Sequence, residues 1–105
     1  GECKALAHLG LSGNAIGAEG AGRLAESLRE CKALAYLDLS GNRIGDEGAG
    51  HLAEVVKECK ALARVVLSRN TIGDEGVRRL GTLGGWLEQH TPIGQLDWQR
   101  NRGYQ

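Results

Sequence analysis

The 105-residue sequence predicts one α/β domain, spanning 1–105, that forms a right-handed β-α superhelix. Three observations predict this fold: the sequence repeats every 28 residues, apolar residues alternate in the first half of each repeat, and they recur at helical spacing in the second half. Stacked repeats of this kind place parallel strands on one face and helices on the other.

The repeat comprises three full units, 2–29, 30–57 and 58–85. The first two units are identical at 20 of 28 positions, and the second and third at 15 of 28, without a gap. Such strict periodicity indicates a core in which every layer fits the next.

A fourth, degraded unit follows after three extra residues. It keeps the spacing of the apolar and Asn positions of the second unit, with Ile93, Leu96, Trp98 and Asn101 standing for Leu34, Leu37, Leu39 and Asn42. The sequence therefore predicts a closing strand and a C-terminal cap within 86–105.

Each unit combines a strand pattern and a helix pattern. Leu37 and Leu39 alternate with polar residues, which predicts a short strand with one buried face. The helix pattern consists of apolar residues at i, i+3, i+4 and i+7, here Ala49, Leu52, Ala53 and Val56.

The start of each helix carries predictions of its own. Asp46 and Asp74 are predicted N-caps, and Ala18 at the same place predicts a first helix weaker by about 1 kcal/mol. Gly45 and Gly73 are predicted to give the preceding turn its conformational freedom.

The pattern LxxLxLxxNxIGxxGAxxLAxxL, which runs from Leu34 to Val56, resembles the ribonuclease-inhibitor-like subfamily of leucine-rich repeats. That subfamily includes cytosolic ribonuclease inhibitors, the repeat domains of NOD-like receptors and the Ran GTPase-activating protein. The resemblance covers about residues 2–101 and implies a leucine-rich repeat solenoid that binds a protein. Beyond the shared motif, no residue matches the positions on which the activity of the Ran GTPase-activating protein depends.

Two spacings predict that the solenoid is curved. Neighbouring strands lie about 4.8 Å apart, whereas packed helices need about 8–10 Å. The strands therefore line the concave face, and the helices form the convex face.

Two further rows of identical residues are predicted to be structural. The Asn row is expected to satisfy backbone groups where the strands end; it comprises Asn14, Asn42, Asn70 and Asn101. The Cys row is expected to hold small buried thiols, because residues in a line about 10 Å long cannot surround one zinc ion; it comprises Cys3, Cys31 and Cys59. We predict no metal site and no cofactor.

Composition narrows the classes of function. Thirteen basic and thirteen acidic residues cancel, so the excess of positive charge typical of nucleic-acid binders is absent. No apolar run is long enough to span a bilayer, and neither nucleic-acid nor membrane binding is predicted. Three cysteines do not suit a closed disulfide framework and favour a cytoplasmic location.

Nothing in the sequence favours catalysis. His8, His51 and His90 fall on a strand, a helix and the insertion, so they are not expected to converge. The Gly-rich segments lack GxxxxGK[ST] and recur in the repeats, which indicates backbone geometry and not a nucleotide site.

The strand positions that point away from the core vary between units and are the predicted partner-binding surface. Tyr and Arg are enriched in binding hot spots, and Tyr36 and Arg64 are predicted to form a cation–π contact. The predicted partner-binding residues are His8, Tyr36, Asp38, Arg64, Val66, Arg69, Gln95 and Asp97.

The predicted function is a non-enzymatic protein-interaction module, the C-terminal part of a longer repeat array. The first unit is expected to leave an apolar edge open, which favours self-association. Three alternatives stay open: repeats that only extend an array, the sensor domain of a NOD-like receptor type protein, and an engineered repeat protein. The drift of the third unit and the insertion argue against the last of these.

Overall fold

A computed structural model of the chain describes residues 5–81, 95–97 and 101. For residues 95–97 it describes the backbone only. All structural statements below concern these residues.

Strands and helices alternate along the chain, as the two patterns in each repeat predict. The elements are β1 (His8–Gly10), α1 (Gly17–Leu28), β2 (Tyr36–Asp38), α2 (Gly45–Val56), β3 (Arg64–Val66) and β4 (Gln95–Asp97). A third helical segment covers residues 74–81 of the described chain. β4 lies where the degraded fourth unit predicts a closing strand, whereas most of the predicted cap in 86–105 lies outside the described residues.

The four strands form one parallel sheet in the order β1-β2-β3-β4. Leu9 pairs with Leu37, and Leu37 with Val65, so that equivalent residues of successive repeats are neighbours. The same register carries on from β3 to β4, where Val65 pairs with Leu96. The α/β solenoid with parallel strands is therefore confirmed.

The core lies between the sheet and the helices. The helix positions predicted to be apolar are all buried, and so are the inward strand positions of the second unit, Leu37 and Leu39. Because aliphatic side chains of one size recur every 28 residues, each layer of the core packs on an equivalent layer.

The Asn row forms a ladder of hydrogen bonds between repeats, which confirms its structural role. The Oδ1 atom of Asn70 accepts hydrogen bonds from the backbone N–H groups of Asn42 (2.7 Å) and Ile44 (3.2 Å). Its Nδ2 group donates to the carbonyl oxygen of Leu39 in the second repeat at 2.9 Å and to that of Leu67 in its own repeat at 3.0 Å. One buried amide thus ties the strand exits of two repeats together.

The predicted N-cap role of Asp46 is wrong. α2 begins one residue earlier, at Gly45, and its N-cap Ile44 makes no side-chain capping hydrogen bond. The N–H group of Gly45 is instead satisfied by the carbonyl oxygen of Asn70 in the next repeat, at 2.8 Å. The carboxylate of Asp46 also reaches the next repeat, where its Oδ1 atom accepts a hydrogen bond from the N–H group of Gly73 at 2.5 Å.

The equivalent bond in the first repeat explains why Ala18 needs no capping side chain. The N–H group of Gly17 donates to the carbonyl oxygen of Asn42 at 2.8 Å, so stacking satisfies the start of α1. Gly45 has a φ of 71°, as the predicted turn freedom requires, but Gly73 does not adopt a positive φ. The third repeat keeps the left-handed conformation at Arg69 (φ 57°) and Thr71 (φ 54°), whose counterparts in the first two repeats also have a positive φ.

The edge of the first repeat is less buried than the same positions further along the stack. Leu6, Leu9 and Leu11 are partly exposed, whereas their counterparts in the second repeat are fully buried. This apolar edge is the one on which the predicted self-association depends.

Candidate interaction surface on the strand face

The sheet has one face turned away from the helices, which we call the strand face. Its first row consists of His8, Tyr36 and Arg64, which open β1, β2 and β3 and are paired in the sheet register. Because the inward neighbours of Tyr36 and Arg64 in these strands, Leu37 and Val65, lie in the core, the side chains of the row stand on the opposite face.

The side chains of this row form one stack. The rings of His8 and Tyr36 lie face to face, with centroids 4.3 Å apart and planes inclined by 13°. The guanidinium carbon of Arg64 lies 5.3 Å from the centroid of the Tyr36 ring, which confirms the predicted cation–π contact. The strand spacing of about 4.8 Å sets this geometry, since it is close to a stacking distance.

Stacking holds the side chain of Arg64 but does not satisfy its Nε–H group. The Nε atom of Arg64 is buried and has no hydrogen-bond partner among the described residues. A buried donor without an acceptor costs about 1–3 kcal/mol. Arg64 is thus a stacked guanidinium group with one donor, its Nε–H group, that has no acceptor in the described chain.

Asp38 lies two residues further along β2 and is engaged within its own repeat. Its Oδ1 atom accepts hydrogen bonds from the backbone N–H group of Ser40 (3.0 Å) and from the hydroxyl group of Ser40 (2.9 Å). This carboxylate is half-buried and fixed beside the ring stack.

Val66 does not lie on an exposed surface, contrary to the sequence prediction. Only 7% of the residue is exposed, although it stands outside the core cluster between sheet and helices. Strand alternation places Val66 on the strand face correctly, but alternation does not reveal that neighbouring side chains remove it from solvent.

The remaining predicted residues lie at the margins of the surface. Arg69 is exposed in the loop after β3. Gln95 and Asp97 pair with Arg64 and Val66 through the backbone of β4, and their side chains lie outside the described structure.

Comparison with protein families settles what kind of repeat this is. The family model described as "Leucine Rich repeat" matches three segments, residues 3–25, 30–53 and 59–81. The chain belongs to the leucine-rich repeat family. A search of curated proteins gave no match.

The leucine-rich repeat geometry explains why the cysteines form a row. Cys31 and Cys59 are both buried, and burial raises the pKa of the Cys59 thiol, which forms no disulfide. The Sγ atom of Cys59 lies 3.5 Å from the carbonyl oxygen of Leu28 at the end of α1, as expected for a thiol packed in the core. Cys3 lies outside the described residues.

Two other kinds of feature are absent from the described part of the repeats. It contains no group of three or more His, Cys, Asp or Glu residues able to hold a metal ion. No helix in the same residues is long and apolar enough to cross a membrane.

Two features of these leucine-rich repeats escaped sequence reasoning. The first is the stacking of His8 on Tyr36, which the shared row and the strand spacing would have indicated. The second is an ion pair between Arg29 and Glu58, which lie one repeat apart near the ends of α1 and α2. Residue patterns within single repeats carry no signal for such a pair.

Proposed function

We propose that this leucine-rich repeat chain is a non-enzymatic interaction module that holds a protein partner against the concave strand face. Leucine-rich repeats are a common protein-interaction module, and this chain presents a strand face with varied side chains over a repetitive core. The residues proposed to contact the partner are His8, Tyr36, Asp38, Arg64, Arg69, Gln95 and Asp97.

One observation carries the proposal, namely the stack of His8, Tyr36 and Arg64. Tyr and Arg contribute strongly to binding because they offer large contact areas and several donors. A stacked, immobilised guanidinium loses less conformational entropy on binding than a free one. The first row of the strand face is therefore preorganised to bind a partner.

The size of the surface predicts modest affinity. Four strands span about 15 Å, whereas standard protein interfaces use about 20–30 residues on each side. We expect weak binding by this chain alone and tighter binding where further surface contributes.

An affinity experiment tests the proposal with variants of the two faces. The immobilised chain, its double variant Tyr36→Ala/Arg64→Ala and the helix-face variant Arg23→Ala are each exposed to an extract of the source organism. Arg23 is a matched control, since it is an exposed arginine of α1 paired with Glu19. Captured proteins are identified by mass spectrometry, purified and titrated against each chain.

We expect a partner that binds the wild type and the Arg23 variant and not the double variant, with equal thermal unfolding midpoints for all three. If purified partners bind the double variant as well as the wild type, the strand face is not the binding surface. That result would favour repeats that only extend an array.

The subfamily and the location belong to the same proposal. The 28-residue period and the motif from Leu34 to Val56 support a ribonuclease-inhibitor-like repeat. The odd number of cysteines and the free thiol of Cys59 support a reducing, cytoplasmic environment. A sensor domain of the NOD-like receptor type remains the alternative that shares these features.

A second interface is proposed at the edge of the first repeat. The partly exposed Leu6, Leu9 and Leu11 support self-association there, because apolar side chains at these positions are buried wherever a repeat precedes them. Sedimentation equilibrium of the purified chain would show a concentration-dependent mass, and a strictly monomeric mass would contradict this interface.

A further inference from the structure

Arginines on the helix side of the molecule have carboxylate partners. Arg23 pairs with Glu19 along α1, and Arg29 pairs with Glu26 and with Glu58, which follows the end of α2. In the third helical segment, Glu75 contacts Arg78 and Arg79 at 2.5 and 3.3 Å. Each described arginine on the helix side is thus matched by a carboxylate.

Arginines on the strand side differ in this respect. Arg43, Arg64 and Arg69 make no ion pair with any carboxylate of the described chain. Arg43 and Arg69 are exposed in the loops that follow β2 and β3, where both adopt a positive φ. Although the chain as a whole has no net charge, its described unpaired guanidinium groups concentrate on the strand side.

Arg64 is the best defined of the three. The Tyr36 ring holds its guanidinium group from one side, and His8 stacks on the far side of that ring. The nearest described carboxylate on the strand face, that of Asp38, makes its hydrogen bonds to Ser40 instead. The buried Nε atom of Arg64 is left without an acceptor.

A carboxylate is the group that completes such a site. The planar guanidinium group presents N–H donors in a fixed fork, and a carboxylate accepts two of them in parallel. Since ring stacking already fixes the fork, its orientation need not be established on binding. A neutral amide or hydroxyl group would satisfy one donor and leave the positive charge uncompensated.

We propose that the partner presents an Asp or Glu side chain to Arg64, so that the strand face recognises an acidic segment of a protein. This inference rests on the proposed function and specifies the chemistry of the partner. Arg64 is the contact residue, and Tyr36 is a positioning residue that holds the guanidinium group. Arg43 and Arg69 favour further acidic residues toward the loop end of the strands.

Peptide display tests this inference without knowledge of the natural partner. A library of random peptides displayed on phage is selected on the immobilised chain, and enriched peptides are synthesised with amidated C-termini. Their affinities are measured for the wild type, Arg64→Gln, Arg64→Lys, Tyr36→Phe and Tyr36→Leu. Arg23→Gln is the matched control on the helix side, and circular dichroism verifies that each variant is folded.

We expect one Asp or Glu to recur at a fixed position of the selected peptides. Affinity should fall about tenfold to a hundredfold in Arg64→Gln, as expected for a lost charge-assisted hydrogen bond, and should be unchanged in Arg23→Gln. Arg64→Lys should restore part of the loss, because it keeps the charge without the fork. Tyr36→Phe should bind like the wild type, whereas Tyr36→Leu should bind more weakly.

A substitution in the peptide completes the test. Changing its recurring Asp to Asn should weaken binding to the wild type and have little effect on binding to Arg64→Gln, because the two groups then act as a pair. Peptides that depend on Tyr36 but carry no recurring acidic residue, or that ignore Arg64→Gln, would overturn this inference and leave the proposed function standing. Peptides insensitive to both Tyr36→Leu and Arg64→Gln, or failure to enrich any peptide, would count against both.

Discussion

Asn70 shows how one residue can hold two repeats together. Its side chain bonds to backbone groups of its own repeat and of the preceding one, and it is fully buried. The Asn row and the Cys row were both predictable from sequence, because an identical polar or small residue in every layer must serve the same backbone or packing need.

Replacing Asn70 by Ala should therefore lower stability strongly. The substitution leaves the buried N–H groups of Asn42 and Ile44 without an acceptor, and each such group costs about 1–3 kcal/mol. We expect a loss of about 3 kcal/mol or more in the free energy of unfolding, measured by urea denaturation.

Asn14 provides the control for this prediction. Its side chain is exposed and donates only to Leu11 and Ser12 within its own loop, so Asn14→Ala should cost no more than about 1 kcal/mol. Equal losses for the two variants would show that the Asn ladder does not couple the repeats.

The sequence also leaves some residue properties open. Asp46 is of a residue type favoured at N-caps and stands where an N-cap is expected. Its carboxylate nevertheless accepts a hydrogen bond from the N–H group of Gly73 in the next repeat. Val66 alternates correctly with the core but is buried. A pattern within one repeat does not report the hydrogen bond that the next repeat supplies to Asp46, nor how much of Val66 is exposed.

At the scale of elements, the two periodicities predicted the type and order of strands and helices. The apolar positions of α2 are buried as expected. The helix begins at Gly45, one residue before the predicted cap, because the backbone of the next repeat satisfies its first N–H group. How closely the helices approach one another could not be predicted from periodicity.

The absence of a side chain at Gly48 allows α1 and α2 to approach closely. A Cβ atom placed there would overlap Cγ2 of Ile44 and would lie 3.2 Å from Cβ of Ala21 and 3.3 Å from Cα of Ala18. Ala18 and Ala21 both belong to α1, so α1 and α2 pack where neither helix carries a bulky side chain. A larger residue would have to separate the helices or displace Ile44.

Gly48→Ala should therefore destabilise the chain, although Ala is the better helix former. Crowding in a packed interior costs about 1–3 kcal/mol, which exceeds the gain of about 1 kcal/mol in helix propensity. Gly81→Ala is the matched control, since Gly81 is helical and exposed, and a Cβ atom there would meet no atom of the described chain within 4 Å.

Thermal or urea unfolding of the two variants should give shifts of opposite sign. We expect Gly48→Ala to unfold more easily than the wild type, and Gly81→Ala to be as stable or more stable. A stabilising effect of Gly48→Ala would show that the helices are not in close contact at this position.

At the scale of the whole molecule, the fold was predictable because 28-residue units with nearly identical apolar positions stack in one register. For the candidate site, the sequence predicted which residues share a row but not the hydrogen bonds that they make. Sequence spacing brings Tyr36 beside Arg64, but it does not show that Nε of Arg64 lacks an acceptor or that Asp38 bonds to Ser40.

The register also explains why a small stack of repeats can present an ordered surface. Each repeat contributes one side chain to a row, and the strand spacing brings these side chains within stacking distance. The same repeat therefore supplies rows of nearly identical residues to the core and rows of varied residues to the strand face. We place the function in the varied rows.

Nuclear magnetic resonance of the purified chain tests the register and the site together. Nuclear Overhauser effects are measured from the ring protons of Tyr36 in the wild type and assigned by comparison with Tyr36→Leu. We predict contacts to the ring of His8 on one face and to the side-chain methylenes of Arg64 on the other, with ring-current shifts of those methylenes that vanish in the variant. Contacts of Tyr36 confined to its own repeat, with Arg64 at the chemical shifts of an unstructured peptide, would contradict the stacked register and the surface built on it.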